Sequence, residues 1–147
     1  MKDLGNQLVP WLVRTAKMLD YFQNKELQSL GFDLTKEQFV ALKILSESNG
    51  ASQNKLVCIT NRDKTSMTRL VNTLEKKNYI ARIPSQEDKR INQLFITKAG
   101  KKILNDVTPY VIKNIDKLQK GVNVDETNMI IDVLKRIQKN IGELDDC

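Results

Sequence analysis

Apolar positions recur at helical spacing over most of the chain, with one interruption near the middle. Residues 6–29 carry Leu12, Ala16, Leu19 and Phe22 on one stripe, with Pro10 in the first turn and Gly31 as a C-terminal stop. Thr35-Lys36-Glu37-Gln38 has the capping-box pattern, and Phe39, Leu42 and Leu45 give the helix that follows an apolar face, ended by Asn49-Gly50. Ser52 is placed to cap a short third helix reaching about Ile59. Thr60-Asn61-Arg62 leaves room for only a tight connection before a fourth helix from about Asp63 to Lys77. The period then becomes strand-like. Tyr79–Ile83 and Gln93–Ile96 flank the polar stretch 85–92, which predicts a hairpin with a long charged tip. Thr97 caps a long fifth helix of about 98–120 that Pro109 is expected to kink and Gly121 to break. Asp125 is the expected cap of a sixth helix bearing Met129, Ile130, Val133, Leu134, Ile137 and Ile141.

Helix, helix, short helix, tight turn, helix, charged hairpin is the order of a winged helix-turn-helix, in which the second helix of the pair enters the DNA major groove. The expected fold is therefore mainly α with a small β-hairpin wing. Met67, Leu70 and Leu74 lie on one side of the fourth helix, and Thr65, Thr68, Arg69, Asn72 and Lys76 on the other. Short hydroxyls and an arginine near the helix start, Thr65, Ser66, Thr68 and Arg69, suit base edges and phosphates. The plain alternative is an amphipathic helix whose polar face is merely solvated. The tip Asp88-Lys89-Arg90 carries cations that can reach a phosphate or a narrow minor groove, or it is an ordinary charged turn.

Charge sharpens the choice. The chain of 147 residues has 24 Lys+Arg and 18 Asp+Glu, a net +6. Residues 1–50 hold 6 basic and 6 acidic groups and residues 101–147 hold 8 of each, whereas residues 51–100 hold 10 basic and 4 acidic. A basic middle on a neutral frame suits a polyanion partner, or else a solvated basic face. Histidine is absent, which removes the commonest general base and metal ligand. With no glycine-rich loop and no cluster of metal ligands, neither an enzyme, a cofactor nor a metal site is expected. No apolar run approaches the ~20 residues of a membrane span, so the expected location is the cytoplasm. Cys58 and Cys147 do not make a disulfide framework. Cys58, near basic residues on the third helix, is the one redox candidate and otherwise an inert packing thiol. Cys147, at the end of the chain, is open to adventitious disulfides.

The segment Asp63-Lys64-Thr65-Ser66-Met67-Thr68-Arg69-Leu70-Val71-Asn72-Thr73-Leu74-Glu75-Lys76-Lys77-Asn78-Tyr79-Ile80 resembles the recognition-helix signature of the MarR family of regulators. The wing resembles it too, with Arg82 at its start, Asp88-x-Arg90 at its tip and Phe95-Ile96-Thr97-Lys98-Ala99-Gly100 closing it. The resemblance is close over about 35–100 and extends to the flanking helices by layout. It implies a winged domain at 35–97 and dimerisation helices at 1–34 and 98–147. It also implies a homodimer reading a pseudo-palindromic operator in double-stranded DNA, commonly as a repressor released by a small aromatic or phenolic ligand. Lys64, Thr65, Ser66, Thr68 and Arg69 match the groove-facing stretch, Arg90 the wing arginine of the minor groove, and Asp88 the acid that orients it, with Lys89 between them. Three departures stand out: Asn78 where glycine is usual, Thr60 where an apolar residue is usual, and no cysteine in the first helix, where peroxide-sensing members carry one. Trp11, Tyr21, Phe22 and Phe39 are candidates for a ligand pocket at the junction of frame and DNA domain, or are plain core. Two alternatives to the ligand-released repressor are a winged helix that binds protein rather than DNA, and a thiol-responsive regulator using Cys58.

Overall fold

A computed structural model describes residues 3–142. A 3-10 turn at Leu4–Asn6 precedes α1 (Leu8–Ser29), α2 (Lys36–Glu47), β1 (Ala51–Ser52), α3 (Gln53–Thr60) and α4 (Lys64–Lys76). Strands β2 (Ile80–Pro84) and β3 (Asn92–Ile96) form the wing, and α5 (Lys98–Leu118) and α6 (Val124–Ile141) close the chain.

The predicted start of α2 holds in atomic detail. Gln38 N–H donates to Thr35 Oγ1 at 3.2 Å and Thr35 N–H donates to Gln38 Oε1 at 3.2 Å, which satisfies two donors the helix would otherwise leave orphaned. The cap of α6 falls earlier than expected. Asn123, not Asp125, is the N-cap, because Asn123 and Glu126 form a reciprocal box with both bonds at 2.9 Å. Asp125 instead sits in the first turn, where the helix dipole still favours its charge. Helix α5 runs on through Pro109. The wing is also larger than a hairpin. β3 pairs antiparallel with β2 on one side and with the two-residue β1 on the other, Ala51 opposite Leu94, giving the order β1-β3-β2.

Leu42, Leu45, Leu56, Met67, Val71, Leu74, Leu94 and Val107 are completely buried, and Leu27, Leu34, Ile80, Ile96 and Leu104 nearly so. The core thus lies between α2, α3, α4, the sheet and the first half of α5. It holds one buried polar residue among those described, Gln38, which is occupied by the capping box and by Lys77. Outside that core the pattern reverses. α6 has no buried residue, and Ile112, Ile115, Ile130, Ile131 and Met129 are exposed. Between α1, α5 and α6 runs an open apolar cleft of roughly 730 Å³, lined by Leu12, Ala16, Leu19, Ile115, Leu118 and Ile131 among others. Among the described residues no helix is long and apolar enough to cross a membrane.

Candidate nucleic-acid interface

The turn into α4 depends on two local choices. Asn61 ends α3 in the left-handed region, at φ 51°, a conformation asparagine tolerates better than most residues. Asp63 then caps α4, its carboxylate accepting from Ser66 N–H at 2.8 Å. Thr60, unusual for its polarity, returns its hydroxyl to Leu56 O at 2.7 Å and so leaves no unpaired donor. With Met67, Leu70, Val71 and Leu74 buried, the opposite side of α4 faces outward, and Lys64, Thr65, Arg69, Asn72 and Lys76 are exposed on it. Asn78 follows in the left-handed region at φ 60°, as the sequence required of a residue standing in for glycine.

The structure separates the four sequence-selected polar residues. Thr65 and Arg69 are exposed. Thr68 is half-buried, and its hydroxyl donates to Lys64 O at 2.9 Å while accepting from Gln53 Nε2 at 2.8 Å. The Ser66 hydroxyl accepts from Arg62 Nε at 2.5 Å. Ser66 and Thr68 therefore fasten α4 to the turn and to α3, with both hydroxyls engaged. Gln53 and Arg62 were not singled out from sequence. Their partners stand fifteen and four residues along the chain, and only the packed helix pair brings Gln53 to Thr68. At its other end α4 is held by Lys77, whose Nζ donates to Asp33 Oδ1 at 2.8 Å, Asp33 O at 2.9 Å and Gln38 Oε1 at 3.1 Å.

The wing tip is a closed turn. Ser85 N–H donates to Ile91 O at 2.8 Å, and Ile91 N–H to Asp88 O at 2.9 Å. Inside it Asp88 receives Arg90 in three bonds. The backbone N–H reaches Oδ1 at 3.0 Å, Nε reaches Oδ1 at 3.1 Å, and Nη2 reaches Oδ2 at 3.0 Å. This fork-to-fork pairing fixes the guanidinium plane while leaving the Arg90 side chain 90% exposed. The side-chain and backbone bonds from Arg90 hold the Asp88 carboxyl below the ordinary carboxylate value, and the same carboxylate raises the Arg90 guanidinium further. Lys89 is exposed beside them.

Comparison with known proteins meets this geometry. A family model described as "MarR family" matches residues 34–91. The solved structure of a Listeria monocytogenes MarR family regulator complexed with a 26mer DNA superposes with a TM-score of 0.80 at 30% identity, over 96% of this chain and 90% of that one. The chain belongs to the MarR family of transcriptional regulators. Within that family it is similar to the uncharacterised regulator YybA of Bacillus subtilis, 29% identical over 92% of this chain and 89% of YybA. It is also similar to the transcriptional repressor MprA of Escherichia coli, 25% identical over 88% of this chain and 73% of MprA.

In this MarR-family chain the four aromatics expected at a ligand pocket are not gathered together. Trp11 is exposed and donates from Nε1 to Gly5 O at 2.7 Å, so it fastens the N-terminal turn. Tyr21 is exposed near Lys25, and Phe22 lies under Lys117 Nζ at 5.4 Å. Only Phe39 borders a cavity at the junction of α1, α2 and α5, about 150 Å³, with Leu27, Lys36, Val40, Val111 and Asn114. Cys58, half-buried on α3, is not a free thiol in this structure, and Cys147 lies outside the described residues.

Proposed function

We propose that this chain is a sequence-specific, double-stranded-DNA-binding repressor that works as a homodimer. The observation that carries this reading is the pairing of two preset cationic elements on a MarR fold. One is α4, with Lys64, Thr65 and Arg69 outward and both ends fastened. The other is a wing tip whose Arg90 is oriented by Asp88 yet almost fully exposed. An exposed arginine held in plane suits a narrow minor groove, while α4 offers its first turns to the major groove. The Listeria structure, solved with DNA, supports the placement, and the similarity to MprA supports repression.

The frame supports the homodimer. An apolar cleft of this size on a water-soluble fold wants a cover, and a second copy supplies identical apolar helices. The two α4 helices then meet half-sites about one DNA turn apart, roughly 10 bp, on a pseudo-palindrome. Release by a small aromatic anion is assigned to the junction beside Phe39 and Lys36, since α1, α2 and α5 meet there and a ligand between them moves the frame against the DNA domain. The deciding experiment is fluorescence anisotropy with duplex DNA from upstream of the chain's own gene, beside a scrambled duplex, over a salt series. Selective binding that weakens steeply with salt supports the reading. Equal binding to both duplexes, followed by failure to enrich any motif from random DNA, refutes it in favour of a winged helix that binds protein.

A further inference from the structure

Asn72 stands one turn beyond Arg69 on the exposed side of α4, and its amide is not free to choose which end faces outward. Arg82, on β2 opposite Leu94, extends its guanidinium from the wing to α4, where Nη2 donates to Asn72 Oδ1. The neighbouring Nε is buried and lies 3.4 Å from Glu75 Oε2, within ion-pair range but not aligned for a hydrogen bond. Glu75 and Asn72 thus hold the guanidinium between them, and the Arg82 side chain is only 23% exposed. A guanidinium has donors and no acceptor, so only the oxygen end of the amide can face it. The NH2 end, with its two donors, is turned away from the wing.

We propose that Arg82 is a positioning residue that presents Asn72 to DNA as a hydrogen-bond donor. The inference rests on the DNA-binding reading above and adds a polarity to it. An asparagine free to rotate reads adenine with both ends of its amide, accepting from N6 and donating to N7. Asn72, its oxygen turned toward Arg82, instead presents its NH2 group to an acceptor: guanine O6 or N7, thymine O4, or a phosphate oxygen. It rejects the cytosine N4 donor. The residue that sets this preference lies on the wing, outside the helix that makes the contact.

The test begins with selection from random duplex DNA by the full chain. Failure of the wild type to enrich a motif overturns the DNA-binding reading itself, before any variant is informative. With a motif in hand, affinities of wild type, Asn72→Ala, Arg82→Met and the double variant are measured on the motif and all its single-base changes. For a base contact, Asn72→Ala should lose roughly 5- to 150-fold discrimination at one position. Arg82→Met should lose discrimination at that same position and newly accept adenine there, and the double variant should fall no further. For a phosphate contact, both single variants should weaken every sequence alike, again without additivity. Additive losses, or wild-type affinity together with wild-type base preference in Arg82→Met with intact melting, would overturn the proposal. Asn72→Asp guards against a misfolded wing. It keeps the acceptor toward Arg82 but has no donor to turn outward, so wild-type affinity in that variant also overturns it.

Discussion

Replacing Gly100 by alanine should destabilise the chain, although alanine is the better helix former. Gly100 is buried in the first turn of α5, against the backbone of Tyr79. A Cβ there would lie well inside contact distance of the Tyr79 carbonyl oxygen, and 2.8 Å from Ile96 Cγ1. The neighbour is main chain, so no side-chain rotation relieves the clash. That carbonyl also accepts Thr97 N–H at 3.0 Å, and Thr97 in turn caps α5 and donates its hydroxyl to Asn78 O at 2.6 Å. Helix propensity favours alanine by about 1 kcal/mol. Overpacking against backbone opposes it by roughly 1–3 kcal/mol, and a strained hydrogen bond adds about 1 kcal/mol. The net is a loss of about 1–3 kcal/mol, or roughly 2–12 °C in Tm for a chain of this size. Urea unfolding at one fixed protomer concentration measures it, so that self-association cannot shift the comparison. Lys98→Ala, exposed in the same turn, is the control and should stay within about 0.5 kcal/mol. A Gly100→Ala variant as stable as wild type would refute the reasoning, because it would mean that α5 and the base of the wing can separate freely.

Further outcomes are expected. Arg69→Ala should weaken operator binding by about 1–3 kcal/mol and relax selectivity, read by anisotropy on cognate and mutated duplexes. Arg90→Ala should cost most on operators with an A/T-rich flank under the wing, and little where that groove is wide; an equal loss on both would place Arg90 elsewhere. Asp88 should titrate below the ordinary carboxylate value in a carboxyl NMR titration, and Arg90→Ala should return it upward. Because the folded value is the depressed one, the Asp88–Arg90 pairing is fully present above about pH 4 and is lost only as pH falls through that lower value. Ile130→Glu, at an exposed position lining the cleft, should yield a folded monomer in sedimentation, and a persistent dimer would put the interface on another face.

Much of this architecture was legible because local chemistry decided it. Thr35 and Gln38 announced α2, Asn78 announced a left-handed residue, and the alternation around 79–96 announced the wing. The misplaced cap of α6 shows how such signals compete. Asn123 and Asp125 are both good caps, and the reciprocal partner Glu126 chose between them. β1 escaped notice because two residues carry no periodicity; it exists only as the far edge of β3. In the candidate interface, residue types could be read but not their commitments. Ser66 and Thr68 have the right chemistry for DNA, yet Arg62 and Gln53 occupy their hydroxyls, and Arg82 occupies one end of Asn72. The four candidate aromatics are dispersed for a related reason. Trp11 and Tyr21 are of a residue type that suits core or pocket, but on α1 both lie exposed among the described residues.

The fastening of α4 at both ends has a thermodynamic consequence. Gln53 and Arg62 at one end and Lys77 at the other mean that the helix is ordered before any DNA arrives. A reader that must first fold loses part of its contact energy to that ordering and shows a large negative heat-capacity change on association. Here the ordering belongs to folding, so calorimetry should find only the modest heat-capacity change of two rigid surfaces meeting, and the arrival rate should be limited by encounter rather than by rearrangement.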